Sequence, residues 1–487
     1  MADLQKNLAY INVRGPRIGV LARHGCARRS EGDKKMLEYS AANLHLGITS
    51  SLAKFLAEAQ FSDLDQTAVH SGRRGVLDWL GCAIAGSGHP TLGKLIDTLV
   101  DLGGARNATV ICRDLKLGTI EAALVNGQMG HVLDYDDTHM GGVVLHTSSP
   151  TLPAILALAE RQVVTGGDLL TAYALAFEAG VRAGQAAPGH RKCGWHLTGT
   201  LGTFAAAAAT GRLLGLNGKQ MTCALGIAGT QAAGMQQNRG TSCKSFHAGR
   251  AASNGLLAAL LAQRGFDSSE EIIEGKRGFA RIYSDTARPD LVLEGIGTRW
   301  EINRNGHKPH ACGVLLHPAI DAVIKVSHES TIEPNQVDAI ELKVHPNAVL
   351  ITGLVEPKTG LQSKFSISHT AAVAFIDRAA GITQYSDKRA LSPDVSALRE
   401  KVSVSADETF GEDQAWATVR SRGRSFEARI EHATGTVDNP ISDKDLEAKF
   451  LGNAIPTVGS ERAQAICERV WQLDRLADVR EIIHLCA

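Results

Sequence analysis

The sequence predicts a mostly α-helical protein in which a large all-helical domain is interrupted by a smaller α+β domain. From about residue 45 to residue 290, apolar side chains recur every three or four positions and the segments stop at turn residues, which is typical of helices. Between residues 296 and 436, stretches with a two-residue alternation join the helical ones and indicate strands. A length of 487 residues accommodates both domains with buried cores.

Several stretches of the first part predict individual helices. "TSSLAKFLAEAQF" and "AVHSGRRGVLDWLGCAIAGSG" each predict one helix. In "TSSPTLPAILALAERQVVTGG", hydroxyl residues and Pro150 mark the start of a helix and a pair of glycines marks its end. "GTLGTFAAAAATGRLLGL" (199–216) carries Ala and Gly on several faces, which lets neighbouring backbones approach closely. We therefore expect this Ala-rich helix at the centre of the helical core.

The α+β part contains three predicted strands. "VDAIELKVHP" (337–346) alternates as one strand, and "QAWATVRSRGRSFEARIEHATG" (414–435) reads as two strands around an Arg-Gly turn. Helical patterns remain in "LHPAIDAVIKVSH" and "SHTAAVAFIDRAAG", and helix resumes at "NPISDKDLEAKF". The predicted division is a helical domain over 41–295, an α+β domain over 296–436 and completion of the helical domain by 437–487. Residues 1–40 are basic and aperiodic and are expected to be a loose extension, with an organelle presequence as the alternative.

Composition narrows the possible partners. The formal net charge is +0, which does not favour nucleic acid or an anionic membrane, because both attract basic surfaces. The longest apolar stretches are far shorter than a membrane span. Nine cysteines without CxxC spacing indicate reduced thiols. We expect a cytoplasmic protein that binds neither nucleic acid nor membrane.

The stretch "HVLDYDDTHMGGVVLHTSSP" (131–150) concentrates carboxylates and imidazoles and raises the question of a metal site. A calcium loop that starts at Asp134 would need Gly at its sixth position and Glu at its twelfth, where the chain has His139 and Leu145. Neither HExxH nor a Cys/His cluster with zinc spacing is present. The spacing therefore predicts no metal, and the remaining alternative to proton transfer is that Asp and Thr cap and connect helices.

Four further stretches place cationic and imidazole side chains where helical patterns break. They are "KCGWHLTGTLG" with His196, "TSCKSFHAGRAASNG" with Lys244, "GHKPHACGVLLHP" with Lys308 and His310, and "GLQSKFSISHTAAVAF" with Lys364. His196 precedes the Ala-rich helix, whose N-terminal N–H groups suit a carboxylate. Each residue alone also fits a structural role. Together they predict a site for a small polyanion in which imidazoles transfer protons.

Four motifs resemble, in this order, those of the MmgE/PrpD family: "NGQMGHVLDYDDTH", "GWHLTGTLGTFAAAAATGRLLGL", "KSFHAGRAASNGLLAALLAQRGF" and "KPHACGVLLHPAIDA". The similarity covers roughly residues 47–480. The family includes 2-methylcitrate dehydratase, cis-aconitate decarboxylase and iminodisuccinate epimerase. The resemblance implies a homodimer, a large helical domain with a smaller α+β lid, an active site between the two, and no organic cofactor.

The resemblance also assigns positions. The family's D-F-D-D-T motif corresponds to Asp134 and Thr138, and the His that follows it in the decarboxylases corresponds to His146. The His before the Ala-rich helix corresponds to His196. The Lys of K-x-x-H-x-G corresponds to Lys244, and the lid Lys corresponds to Lys308. Two positions depart from the pattern. Gly313 stands where the decarboxylases have a catalytic His, and His310 stands where many relatives have Tyr. Both departures speak against cis-aconitate decarboxylation.

These assignments give a mechanistic hypothesis. His146 and His196 form the acid/base pair, Asp134 orients an imidazole, and Lys244 and Lys308 hold carboxylates, with Thr138, His310 and Lys364 also contacting substrate. Asp136 and Asp137 are expected to be structural supports. The predicted function is hydration or dehydration of a small di- or tricarboxylate of the 2-methylcitrate kind. The alternatives are an epimerase of an iminodisuccinate-like dicarboxylate and a non-catalytic carboxylate-binding relative, which the loss of His at Gly313 would favour.

Overall fold

Long helices packed around the Ala-rich helix make up the first half of the chain. The computed structural model describes residues 47–487, so the predicted extension over residues 1–40 lies outside the described residues. Within them, the helices up to residue 282 are α1 Ile48–Glu58, α2 Gln66–Gly86, α3 Pro90–Leu102, α4 Thr119–His131, α5 Ser148–Ala159, α6 Gly166–Gln185, α7 Leu197–Leu213, α8 Gly218–Gly229, α9 Ser242–Gln263 and α10 Phe279–Ile282.

The Ala-rich helix α7 is central, as predicted. It packs against α5, α6, α8 and α9, and its residues from 197 to 211 are buried. Close approach requires glycine at the crossings, because a Cβ on Gly202 would lie 2.6 Å from Pro150 Cγ and a Cβ on Gly255 would lie 2.5 Å from that of Ala206. The small residues therefore set how closely α7 and α9 approach, and these two helices carry residues of the candidate site.

One predicted helix end was wrong. The helix that contains Pro150 ends at Ala159, and the Gly pair at 166–167 begins α6 instead of ending α5. The reason is Thr165, whose hydroxyl accepts from the backbone N–H of Asp168 while the Asp168 carboxylate accepts from the Thr165 N–H. This capping box starts a new helix.

The α+β part contains a four-stranded sheet with strands β5 Ala339–Val344, β6 Val402–Ala406, β7 Ala415–Ser421 and β8 Arg424–Ile430. Their order in the sheet is β6-β5-β7-β8. β6 runs parallel to β5 and was not predicted, whereas the predicted hairpin β7–β8 is present, with positive φ at Arg422 and Gly423. The helices of this part are α11 His317–Glu329, α12 Pro346–Thr352, α13 Gly360–Ser363, α14 Ile367–Asp377, α15 Asp387–Ala390 and α16 Pro393–Arg399. α11 and α14 pack on each other and on the sheet around one apolar core.

The chain returns to helix after the sheet, as predicted, with α17 Asp443–Val458, α18 Ser460–Trp471 and α19 Arg480–Leu485. α17 packs on α2, and its Lys449 ammonium donates to Asp78 Oδ1 at 2.6 Å. There are also two pairs of very short strands. β1 Ala108–Thr109 pairs with the nearby β2 Lys116–Leu117, and β3 Thr138–His139 pairs with the distant β4 Asn305–Gly306. None of the described helices has the length and apolar character needed to cross a membrane.

Candidate active site

Asp134 lies in a turn that follows α4. Its backbone N–H donates to the carbonyl of His131, and its φ of 51° is in the left-handed region, which Asp tolerates better than most residues. The turn directs the carboxylate into the protein, where it is buried. A few residues later β3 pairs with β4, which brings the segment before Lys308 alongside.

Two ammonium groups hold the Asp134 carboxylate. Lys308 Nζ, fully buried, donates to Asp134 Oδ1 at 2.8 Å and to its backbone carbonyl at 2.9 Å. Lys244 Nζ, from the first turn of α9, lies 3.0 Å from Asp134 Oδ2. Burial raises the pKa of the Asp134 carboxyl, but the two lysines outweigh it and hold the pKa well below its usual range. Asp134 is therefore an anion that fixes two cations in place.

Asp136, two residues on, faces imidazoles instead. Its Oδ2 lies 2.9 Å from His131 Nδ1 and 3.4 Å from His146 Nδ1, and it accepts from Ser149 Oγ at 2.6 Å. Burial lowers the pKa of His131 to about 4 against the opposing effect of Asp136. Burial likewise lowers the pKa of His146. Both rings are thus neutral bases at neutral pH, held by one carboxylate.

The remaining contacts of His146 fix its orientation. Nδ1 lies 3.1 Å from Thr138 Oγ1 and 3.0 Å from the carbonyl oxygen of Asp137. Nε2, the other nitrogen, points toward Asp134, with Oδ1 at 4.0 Å. The ring therefore spans the two carboxylates, and a proton transferred at Nε2 would be next to the Asp134–lysine group.

His196 is the N-cap residue of α7 and meets a second imidazole. His196 Nδ1 and His247 Nδ1 are 3.0 Å apart, so one ring donates and the other accepts. The His196 ring also stacks on His131, with centroids 5.7 Å apart. Burial, followed by the Lys244 charge, holds the pKa of His196 well below its usual range. His196 is accordingly a neutral imidazole beside a cation.

Four of the predicted residues meet at one small cavity. Asp134, His146, His196 and Lys244 line this space, which we call the inner cavity. It adjoins a larger outer cavity of about 1080 Å³, and Arg191, Trp195 and Arg239 line both. The predicted catalytic residues are therefore brought together, and the outer cavity connects to them.

The other predicted residues bond to protein groups. Lys364 Nζ donates to the carbonyls of Leu133 and Ala311 at 2.7 and 2.6 Å, and burial lowers its pKa to about 8. His310 Nε2 lies 2.9 Å from Asp321 Oδ1. Thr138 bonds to His146, and Lys308 to Asp134, as described above. Their assignment to substrate binding stays a prediction.

Sequence reasoning missed three members of the site. Asp136, expected to be structural, is the carboxylate in hydrogen-bond contact with two imidazoles, a role that had been assigned to Asp134. His131 lies in the same motif five residues earlier, and His247 stands three residues after Lys244, so spacing alone could have nominated both. The nitrogen and oxygen atoms of His131, Asp136 and His146 lie within 4.8 Å of one another, a donor set that could hold a metal ion. Here both Nδ1 atoms already face Asp136.

The fold and the site define a mostly helical protein with buried imidazoles and an ammonium group around a cavity, a set suited to proton transfer beside carboxylates. The MmgE/PrpD N-terminal domain model matches residues 50–292, and the MmgE/PrpD C-terminal domain model matches residues 310–473. The chain belongs to the MmgE/PrpD family.

Curated relatives of the chain include enzymes of two kinds. A cis-aconitate decarboxylase of Aspergillus terreus is 28% identical over 476 residues, which cover 91% of this chain and 96% of that protein. The cis-aconitate decarboxylase of Mus musculus is 25% identical over 458 residues, which cover 90% of this chain and 93% of that protein. The mitochondrial 2-methylcitrate dehydratase of Yarrowia lipolytica is 24% identical over 396 residues, which cover 75% of this chain and 74% of that protein. The match to the decarboxylases extends over nearly the whole chain.

Proposed function

We propose that the chain is a cofactor-independent lyase that hydrates or dehydrates a small polycarboxylate, with a citrate-like tricarboxylate as first choice. The observation that carries this proposal is the inner cavity, where two neutral imidazoles and an ammonium group face one space. The chain's membership of the MmgE/PrpD family supports the proposal, because the relatives are named as a cis-aconitate decarboxylase and a 2-methylcitrate dehydratase.

Dehydration needs one base, one acid and a holder for negative charge. One imidazole removes a proton from the carbon next to a carboxylate, the adjacent C–O bond breaks, and the second imidazole, in its protonated form, delivers a proton so that the hydroxyl leaves as water. His146 and His196 take these two roles. Lys244 holds the carboxylate on which negative charge develops, an effect of about 3–4 kcal/mol for a well-placed donor. Asp134 keeps Lys244 in position.

The lowered pKa values fit the role of base. At neutral pH an imidazole with a depressed pKa is unprotonated and ready to accept a proton. The second imidazole acts as the acid after taking a proton from solvent, and the base returns the substrate proton to solvent at the end of the cycle. The His196–His247 contact offers a route along which a proton can be shared.

The test is turnover of citrate-like tricarboxylates, followed by alkene absorbance, with the His196→Ala and Lys244→Ala variants. Each substitution should lower kcat by about 10²–10⁴-fold, since each removes a positioned proton carrier or charge holder. His432→Ala is the control, because His432 is exposed and bonds to Asp413 on the surface. Near-wild-type turnover by both site variants would contradict the assignment. Proton exchange in deuterated water without any change in composition would instead favour epimerisation.

Independence from metal is tested separately. Dialysis against a chelator should leave turnover unchanged, because the proposed steps need only imidazoles and ammonium groups. Loss of turnover that added divalent cation restores would show that the reaction needs a metal ion, for which His131, Asp136 and His146 are the buried candidate ligands, and the proposed chemistry would then be wrong.

Decarboxylation of an unsaturated tricarboxylate is the second candidate. The near full-length match to cis-aconitate decarboxylases favours it. Against it stands Gly313, in the lining of the inner cavity, at the position where the family resemblance implies a catalytic His in decarboxylases. Release of carbon dioxide from cis-aconitate by the wild-type chain, at a rate above that of alkene hydration, would decide for the second candidate.

A further inference from the structure

Arg239 lies at the junction of the inner and outer cavities and is one of the residues that line both. It follows a short turn, Gln236–Asn238, and precedes α9, which carries Lys244 in its first turn. Arg239 thus stands at the entrance to the inner cavity, five residues before the lysine that faces Asp134.

The turn that carries Arg239 is firmly held. The Gln236 side chain donates to the backbone carbonyls of Arg191 and Trp195 at 2.8 and 2.7 Å. The Gln236 backbone N–H donates to the Gly194 carbonyl at 2.9 Å. The Arg239 N–H closes the turn onto the Gln236 carbonyl at 3.0 Å. The backbone position of Arg239 is therefore set before any ligand arrives.

The Arg239 guanidinium is partly buried but unpaired within residues 47–487, where no hydrogen bond or ion pair engages it. Burial, and then the neighbouring Arg191, lowers its pKa to about 10, so it is a cation at neutral pH. Arg191, the other arginine at this junction, already donates to the Glu412 carboxylate at 3.1 Å. Lys308 and Lys364 are also occupied by protein oxygens.

We propose that Arg239 binds the distal carboxylate of a tricarboxylate whose reacting carbon lies in the inner cavity, and so determines specificity for tricarboxylates over dicarboxylates. A guanidinium fits a carboxylate through two parallel N–H donors, which makes it selective for that group. The inference rests on the proposed function, because it assumes that a polycarboxylate enters this site.

The test uses a matched pair of unreactive ligands, propane-1,2,3-tricarboxylate and methylsuccinate, which lacks one terminal carboxylate. Affinities are measured by calorimetry on the full chain at about 150 mM salt, where long-range attraction is screened. Arg239→Gln should weaken binding of the tricarboxylate by about 10- to 100-fold and binding of methylsuccinate by less than about twofold. Arg239→Lys should recover part of the loss. Lys192→Gln is the matched control, since Lys192 is exposed and contributes to the outer cavity.

Equal losses for both ligands, no loss for either, or the same loss in Lys192→Gln would overturn the role of Arg239 and leave the proposed function standing. A wild-type chain that binds neither ligand would overturn the proposed function as well. Unfolding midpoints of the variants, expected within a degree or two of wild type, check that the chain is folded in each case.

Discussion

Asp134 and Asp136 stand two residues apart in one motif, yet the structure surrounds them with different groups. Asp134 contacts two ammonium groups, whereas Asp136 contacts two imidazoles and a hydroxyl. The difference comes from the left-handed turn at Asp134, which directs its carboxylate toward α9 and the Lys308 segment. The motif therefore has an ammonium-paired half at Asp134 and an imidazole-paired half at Asp136.

Asp137 completes the comparison. It is buried as deeply as its neighbours, but no cation from the described part of the chain contacts it. Ser148, Tyr173 and Asn305 donate hydrogen bonds to it instead. Burial, with the added effect of the Asp78 carboxylate, raises the pKa of Asp137 to about 8. Three aspartates within four residues thus differ in their partners: Asp134 is paired with ammonium groups, Asp136 is bonded to imidazoles, and Asp137 is largely protonated at neutral pH. Their partners, rather than the residue type, decide their charge.

The largest effect is expected from removing Lys308. Lys308→Met leaves the buried Asp134 carboxylate with Lys244 alone, and breaking a buried ion pair by deleting one partner costs about 3–5 kcal/mol. Urea unfolding should show a loss of this size. Lys244→Met should cost less, because its side chain is partly exposed and water can replace it.

The double variant Asp134→Asn/Lys308→Met is the control for that prediction. Removing both charges should restore part of the free energy of unfolding, because the deeply buried carboxylate is gone and the Lys244 ammonium that loses it is partly exposed to water. A double variant no more stable than Lys308→Met would mean that the unpaired Asp134 carboxylate is not what destabilises Lys308→Met.

A smaller effect is expected in the imidazole half. The Asp136 charge raises the pKa of His146, so Asp136→Asn should lower that pKa further. The apparent pKa that His146 contributes to the pH dependence of kcat should therefore fall by about 1 pH unit. Asp137→Asn is the matched control, since Asp137 is largely protonated at neutral pH and its substitution removes little charge. A shift in Asp137→Asn with none in Asp136→Asn would reverse the assignment of the two carboxylates.

The helical pattern, the β7–β8 hairpin and the meeting of Asp134, His146, His196 and Lys244 were predictable from the sequence. Strand β6 was missed although "VSVSA" does alternate apolar and polar residues, because it is only five residues long and its small apolar side chains are not fully buried. The complete burial of Lys308 was unexpected for a different reason. Lysine is rarely buried unless paired, and its partner lies 174 residues away, beyond the reach of any local pattern.

The pairing of Asp136 with His131 was missed because it depends on how the chain turns after α4. Arg239 was missed because it lies in a short turn without periodicity. In each case the missing information is a contact between segments that the local sequence does not describe.

The smallest effect on stability is expected at Gly313. Its φ of −58° suits any residue, and a Cβ there would lie 3.6 Å from the nearest atom, the Lys364 carbonyl oxygen. Gly313→His should therefore change the free energy of unfolding by no more than about 0.5 kcal/mol. Because Gly313 lines the inner cavity, the new imidazole would join those of His146 and His196 there. If a missing acid limits decarboxylation, the ratio of carbon dioxide released to alkene hydrated, measured on cis-aconitate, should rise in Gly313→His and not in Gly313→Ala. Equal ratios in the two variants would mean that the charge-holding and imidazole groups already present, and not the residue at 313, decide which reaction the site performs.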